Sequence, residues 1–119
     1  MQLTRALDRY EAHMKADYLE KEFANRAVPY RGGLLLLSPD DAIALVRRAA
    51  DEGVPILGVD GLRVTEAATE SPLEHLIDLS RRVADGHGCW EEAEAFIQAR
   101  AGSGLVFEVT LGSDPLEAV

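Results

Sequence analysis

The stretch "LLLLSPDDAIALVRRAADEGVPILGVDGLRV", residues 34–64, decides the fold because it contains the clearest change from strand pattern to helix pattern and back. Its opening leucines are apolar on both faces, which is typical of a central strand. "SPDD" then predicts a helix start, with Ser38 as the cap and Pro39 at the first helical position. Gly53 ends the helix, and "VPILGV" is the second strand. Two strands joined by a crossover helix predict a right-handed parallel βαβ unit.

Asp60 and Gly61, near the end of this stretch, could form either part of a catalytic site or a turn of the chain. They separate two short runs of strand composition, and Asp-Gly is a frequent two-residue hairpin turn. A catalytic carboxylate needs a partner acid, base or metal ligand, and no His, Cys or Lys lies close to Asp60 in sequence. The pattern therefore favours a turn, or a bend in one long strand, over a catalytic role for Asp60.

The flanking segments predict three more helices and another strand. Apolar residues recur at helical spacing through residues 1–28, which indicates a long amphipathic helix. "SPLEHLIDLSRR" repeats the capping pattern with Ser71 as the cap, and "WEEAEAFIQARAG" predicts a further helix that Trp90 opens. "LVFEVTL" alternates apolar and polar residues, as expected of a strand with one buried face.

Together these patterns predict a single α+β domain over residues 1–119. Its parts are the N-terminal helix, an α/β core over residues 34–111 and a frayed tail over residues 112–119. The expected architecture is a two-layer sandwich with a mixed sheet of three or four strands that includes the βαβ unit.

Composition excludes several classes of function. The chain carries 21 acidic and 12 basic residues, a net charge of −9, which disfavours binding to nucleic acid. The longest aliphatic run, Leu34–Leu37, is far shorter than the ~20 residues of a membrane span. A single cysteine, Cys89, cannot form an internal disulfide, and the start of the chain lacks the pattern of a signal peptide. We therefore expect a cytoplasmic protein with no membrane association.

Residues capable of chemistry are few, and no cofactor or metal site is expected. The segment "GVDG" lacks both the lysine of a P-loop and the third glycine of a dinucleotide fingerprint. His87 and Cys89 are too few ligands for a structural zinc site. Cys89 paired with His75 or His87 stays open as a nucleophile, although no orienting third group is apparent. Glu74 and Asp78 lie four residues apart, a spacing usual for a solvated helix face.

Four segments, "PILGVDGLRV", "ESPLEHLIDLS", "CWEEAEAFI" and "LVFEVTLG", resemble a small immunity-protein family of bacterial polymorphic toxin systems. That family shares an ILG-x-[DE]-G segment after a capped helix, a tryptophan opening a Glu-rich helix, and a last strand centred on Phe-Glu. The resemblance covers about residues 35–111 and implies a non-enzymatic protein that binds and neutralises a toxin domain. The matching residues are Ile56, Leu57, Gly58, Asp60, Gly61, Trp90, Glu91, Phe107 and Glu108.

We therefore predict a protein-binding module whose acidic surface meets a basic protein partner, such as a toxin domain. Two alternatives stay open: a small enzyme with an acid, histidine and cysteine site, and a structural subunit that forms a homodimer through its N-terminal helix. Neither catalytic nor metal-binding residues are assigned. The predicted partner-binding residues are carboxylates between the expected hairpin and the last helix: Glu66, Glu70, Glu74, Asp78, Glu91, Glu92 and Asp60.

Overall fold

The computed structural model describes residues 15–28, 34–65 and 69–112. The fold combines helices with a four-stranded antiparallel sheet, which confirms the α+β class and the expected number of strands. Residues 15–23 are helical (α1) and lead into a 3-10 turn. The other elements are α2 (Pro39–Glu52), β1 (Ile56–Val64), β2 (Thr69–Glu70), a 3-10 turn that we call the edge turn (Leu73–His75), β3 (Leu76–Asp78), α3 (Ser80–Ala84), α4 (Trp90–Ala99) and β4 (Val106–Leu111).

Strand β1 is the centre of the sheet. One of its edges pairs with β4, from Ile56 opposite Leu111 to Leu62 opposite Val106. Its other edge pairs first with β3 and then with β2, and the edge turn lies between these two short strands. Since both short strands use one edge of β1, the segment from β2 to β3 forms one interrupted border of the sheet.

The expected mixed sheet with a parallel βαβ pairing is wrong, because every strand pairing in the described residues is antiparallel. The leucine run before α2 makes a single bridge, in which Leu37 and Phe107 exchange N–H···O bonds of 2.9 and 2.8 Å. That run and β1 are both antiparallel to β4 and therefore run in the same direction, with β4 between them. The crossover helix correctly predicted that the leucine run and β1 run in the same direction. No local sequence pattern indicated that β4, from the C-terminal end of the chain, lies between them.

Asp60 and Gly61 lie inside one continuous strand, so the long-strand alternative is right and the hairpin is wrong. The glycines of "GVDG" permit a close approach of the neighbouring chain. A Cβ on Gly58 would lie 2.8 Å from the carbonyl oxygen of Ile77, and one on Gly61 would lie 3.2 Å from the Cβ of His75. A side chain at position 58 would push β3 away from β1, whereas one at position 61 would require His75 and Leu105 to shift by a few tenths of an ångström.

The predicted helix starting at Ser71 is also wrong. Its residues form the edge turn, β3 and only then the short helix α3. The long β1 offers an unpaired edge, and pairing along that edge takes residues 76–78 out of helical conformation. Ser71 does not cap a helix, and its hydroxyl donates to both carboxylate oxygens of Asp60, at 2.8 and 3.0 Å.

The helices cover one face of the sheet and form a continuous core with it. Leu19 and Phe23 of α1, Leu45 of α2, Ile97 of α4 and Phe107 of β4 are all buried in that core. The inward face of the N-terminal helix is thus confirmed where the structure describes it, whereas residues 1–14 and the predicted tail beyond residue 112 lie outside the described residues. In the described part of the chain, no helix has the length and apolarity of a membrane span.

Candidate functional site

The face of the sheet away from the helices carries two carboxylates side by side, on β1 and β4. Asp60 of β1 is directly opposite Leu76 on β3 and Glu108 on β4, and directly opposite residues project to the same face. Val59, the preceding residue, projects to the other face and is buried in the core. We call the side with Asp60 and Glu108 the outer face.

A depression of about 310 Å³ lies in this outer face. Its centre is Gly58, which has Asp78 opposite it on β3 and Thr110 opposite it on β4. Because Gly58 contributes no side chain, the groups around it leave a hollow with three carboxylates at its margin. The surrounding residues include Leu57, Asp60, Leu76, Asp78, Ser80, Glu108 and Thr110.

The carboxylates of the depression differ in their electrostatic environment. Partial burial raises the pKa of Glu108 above its usual value, and the negative charges of Asp60 and Glu20 raise it further. By contrast, hydrogen bonds from the Ser80 hydroxyl and backbone N–H lower the pKa of Asp78. Glu108 is therefore the group in this depression whose negative charge is opposed by its surroundings, whereas the charge of Asp78 is stabilised.

The border formed by residues 69–78 adds exposed acidic and apolar side chains beside this depression. Glu70, Glu74 and Asp78 are all exposed along it. Leu73 is 84% exposed and Leu76 is 45% exposed, high values for large apolar side chains. We call these five residues, together with Asp60 and Glu108, the acidic border.

Arg100 holds the edge turn of the acidic border in place. Its guanidinium lies 3.7 Å from the ring centroid of Phe96, its Nη2 donates to the Glu74 carbonyl oxygen at 2.9 Å, and its Nε donates to His75 Nδ1 at 3.2 Å. Stacking and directed hydrogen bonds together use the planar geometry of arginine. The exposed Leu73 and Glu74 are thus presented by an anchored turn.

Four of the seven predicted partner-binding residues, Asp60, Glu70, Glu74 and Asp78, lie on β1 or on the segment from β2 to β3. Asp60 and Asp78 line the depression, Glu74 lies in the edge turn, and Glu70 lies directly opposite Arg63 of β1. Glu91 and Glu92 do not join them, because they lie at the start of α4, which packs on the opposite face of the sheet. Glu92 also forms an ion pair with Arg82 at 2.8 Å. Glu66 lies outside the described residues.

Glu108 is the site residue that sequence reasoning missed. The alternation in "LVFEVTL" already indicated that Glu108 projects away from the buried face. Its significance depends on Asp60, 48 positions earlier in the numbering, being its cross-strand neighbour. An expected turn at Asp60 concealed that pairing, because a turn residue has no partner across a strand.

The residues of the enzyme alternative are held by different parts of the fold. Cys89 is buried, and burial raises the pKa of its thiol, which disfavours the reactive thiolate. His87 meets this thiol through its backbone carbonyl oxygen, at 3.8 Å, and its own side chain is exposed. His75 contacts Arg100 and Glu74 instead. In the residues that the structure describes, no group of three His, Cys, Asp or Glu side chains could hold a metal ion.

The homodimer prediction concerns the predicted N-terminal helix, of which the structure describes residues 15–28. Within that part, Ala16, Leu19 and Phe23 are buried in the core of the same chain. Tyr18 is 65% exposed and lies away from this buried row. Self-association through the N-terminal helix stays a prediction, and among residues 15–28 the buried row is already used within the same chain.

Comparisons with known proteins do not identify a relative: no protein-family model and no curated protein matches this chain. The resemblance to immunity proteins therefore rests on the short sequence segments alone. In the structure, the glycines of one such segment, Gly58 and Gly61, face the acidic border at close range.

Proposed function

We propose that this protein is a non-enzymatic binding module that holds a basic protein partner against its acidic border. Following the sequence resemblance, we further propose that the partner is a bacterial toxin domain, which the protein neutralises in the cytoplasm as an immunity protein. The observation that carries the proposal is the pair of carboxylates, Asp60 and Glu108, side by side on the outer face next to exposed Leu73 and Leu76.

Two like charges directly opposite each other in a sheet oppose folding. In this pair, Glu108 is also partly removed from water, which makes its charge more costly. A lysine or arginine side chain entering the depression would offset both effects, because it would neutralise the pair where water is partly excluded. The arrangement therefore favours a cationic ligand group over an anionic or apolar one.

Arginines on the helical side of the molecule already have carboxylate partners. Arg47 of α2 contacts Glu94 of α4 at 2.8 Å, and Arg48 of α2 contacts Glu22 of α1 at 3.1 Å. These pairs balance charge locally across the helices. At the depression, by contrast, Asp60, Asp78 and Glu108 are three carboxylates on one margin. Attraction of a basic partner to them would speed association by about 10–1,000-fold.

Exposed leucines make this border a surface suited to protein partners. Protein interfaces combine an apolar centre with a polar rim. Leu73 and Leu76 supply apolar area, and Glu70, Glu74 and Asp78 supply a charged margin on the same ten-residue segment, residues 69–78. Charge would guide the encounter, and burial of the leucines would slow dissociation.

A charge-reversal experiment tests the proposal. The product of the neighbouring gene, taken as the candidate toxin domain, is co-expressed with wild type, with Glu70→Lys/Glu74→Lys, or with Asp51→Lys/Asp85→Lys. Cell survival, capture by the tagged protein and the association rate of the purified proteins are scored. The control variant makes the same charge change at exposed positions at the ends of α2 and α3. We expect wild type and control to protect and to capture the toxin, and the Glu70/Glu74 variant to lose at least about tenfold in association rate.

Two outcomes would contradict the proposal. If wild type neither protects cells nor captures the toxin domain, the immunity function is wrong. If the two double variants lose association rate equally, overall charge matters but the acidic border is not the binding surface.

A further inference from the structure

We propose that the basic partner adds a β-strand to the free edge of β3. This inference rests on the proposed function, since it specifies how the same acidic border holds its partner. None of the described strands pairs with the outer edge of β3, whereas its inner edge pairs with β1. Strand addition to such an edge is a recurring mode of recognition, in which main-chain hydrogen bonds provide affinity and side chains provide specificity.

The hydrogen-bond pattern shows which backbone groups of β3 point outward. Leu79 N–H donates to the Leu57 carbonyl oxygen at 2.8 Å, so residues 79 and 77 direct their backbone groups toward β1. Backbone direction alternates along a strand, and Leu76 and Asp78 therefore direct theirs away from β1. The N–H of Leu76 donates back to the Leu73 carbonyl oxygen. The Leu76 carbonyl oxygen and the Asp78 N–H face the position of an added strand.

Side chains along this edge select the occupant. A second copy of the chain would bring its own Glu74 and Asp78 against the same residues, and like charges on adjacent strands are destabilising. Acidic residues on an edge strand thus oppose pairing between copies. A partner strand with alternating basic and apolar residues would instead pair its cations with these carboxylates and cover Leu76. Charge complementarity therefore favours a different, basic protein.

The edge is also held in one position before any partner arrives. Gly58 and Gly61 let residues 75–77 lie close against β1, and Arg100 fixes the edge turn through the Glu74 carbonyl oxygen and His75. An ordered edge loses little conformational entropy when it pairs, which favours binding.

Hydrogen exchange of the full chain tests strand addition. The labelled protein is mixed with a short synthetic peptide of alternating lysine and valine, with the same peptide N-methylated at alternate amides, or with a peptide of alternating glutamate and valine. We expect the first peptide to slow exchange of the Asp78 amide by about tenfold or more. The N-methylated and acidic peptides should leave that rate unchanged, the former because it cannot pair along its backbone and the latter because of repulsion.

The possible failures separate this inference from the proposed function. If the N-methylated peptide protects Asp78 as well as the unmodified one, binding needs no backbone pairing and strand addition is wrong, although the acidic border still binds cations. If no peptide protects Asp78 while the toxin domain is captured through Glu70 and Glu74, strand addition is again wrong and the proposed function stands. A homodimer in sedimentation that Leu76→Lys abolishes would also overturn it, since the occupant would be a second copy.

Discussion

Asp60 and Glu108 occupy directly opposite positions on β1 and β4 and project from the same face of the sheet. Ser71 donates its hydroxyl to Asp60, whereas partial burial and the nearby charges of Asp60 and Glu20 raise the pKa of Glu108. The pair is thus a local cost to folding at neutral pH. A positively charged side chain of a bound partner would remove this cost, so the pair favours binding of a basic partner.

Replacing Glu108 with glutamine should stabilise the free protein at neutral pH. Because the folded state raises the pKa of Glu108 above the ordinary value of 4.5, it holds this proton more tightly than the unfolded state does. The contribution of Glu108 is therefore favourable at low pH and is lost as pH rises through its raised pKa. Glu108→Gln should raise the free energy of unfolding by about 0.2–1 kcal/mol at neutral pH.

Urea denaturation of wild type and Glu108→Gln at acidic and neutral pH measures this effect. The difference between the two proteins should shrink as the solution is acidified, because protonated Glu108 and glutamine are both neutral. Equal destabilisation by Glu108→Gln at both pH values would show that the carboxyl group contributes a favourable contact in place of a charge penalty.

Gly58→Ala should be more disruptive than Gly61→Ala. A Cβ at Gly58 would lie 2.8 Å from the carbonyl oxygen of Ile77, a backbone atom in β3, and the strand must move to relieve this contact. At Gly61 the nearest contacts are 3.2 Å, to the His75 Cβ and to Leu105 Cδ1. We expect Gly58→Ala to cost about 1–3 kcal/mol in thermal or urea unfolding, and Gly61→Ala to cost less.

Measuring both glycine variants also tests the reason for these residues. If the two lose equal stability, close approach at Ile77 does not explain Gly58. Neither glycine has a positive φ, so left-handed backbone strain would not account for a loss at either position.

Arg100→Lys should loosen the edge turn. Lysine keeps the positive charge but loses the planar stacking on Phe96 and the paired hydrogen bonds to the Glu74 carbonyl oxygen and His75. We expect a loss of about 1–2 kcal/mol in the free energy of unfolding and faster amide exchange in residues 74–76. Arg81→Lys, at an exposed position of α3, is the matched control and should change neither quantity. Unchanged exchange in Arg100→Lys would mean that other contacts hold the turn.

Local sequence patterns correctly predicted α2 and the start of α4, because contacts between residues close in sequence stabilise these helices. Ser38 accepts a hydrogen bond from the Asp41 N–H at 3.3 Å, Pro39 begins α2, and Gly53 follows it with a φ of 73°, as the sequence pattern indicates. The start of α4 at Trp90 is confirmed too, although Cys89 precedes it in a left-handed conformation and makes no side-chain cap. Trp90 is half-buried, and its Nε1 donates to the Val54 carbonyl oxygen at 2.7 Å.

Strand pairing between residues distant in sequence determined the rest of the fold, and no local sequence pattern predicted it. Ser71 and Pro72 repeat the pattern that begins α2, yet the segment after them pairs with β1 because the free edge of that strand satisfies its backbone groups. The same pairing turned a predicted helix face, Glu74 and Asp78, into a sheet border. Asp60 and Asp78 therefore line one depression for a reason that the sequence did not reveal, and Glu108 joins them through β4.

Leu73→Ser should weaken partner binding without weakening the fold. Leu73 is 84% exposed, so the change removes little buried area and should shift the free energy of unfolding by less than about 0.5 kcal/mol. If Leu73 is an apolar anchor of the interface, the same change should reduce affinity for the toxin domain by about tenfold or more, mainly through faster dissociation.

Leu34→Ser is the control for this prediction, because Leu34 is also a large exposed apolar residue, at 39%, and lies before α2, outside the acidic border. Binding kinetics and urea denaturation are measured for both variants. A loss of affinity in Leu73→Ser but not in Leu34→Ser would show that the effect comes from a contact at Leu73 and not from the loss of any exposed apolar side chain. Equal affinities for Leu73→Ser and wild type would remove Leu73 from the interface. Charge attraction acts mainly on the association rate, and apolar burial acts mainly on the dissociation rate. The double variant Leu73→Ser/Glu70→Lys should therefore both associate more slowly and dissociate faster than wild type. Only a binding surface with both a charged and an apolar contact would produce this result.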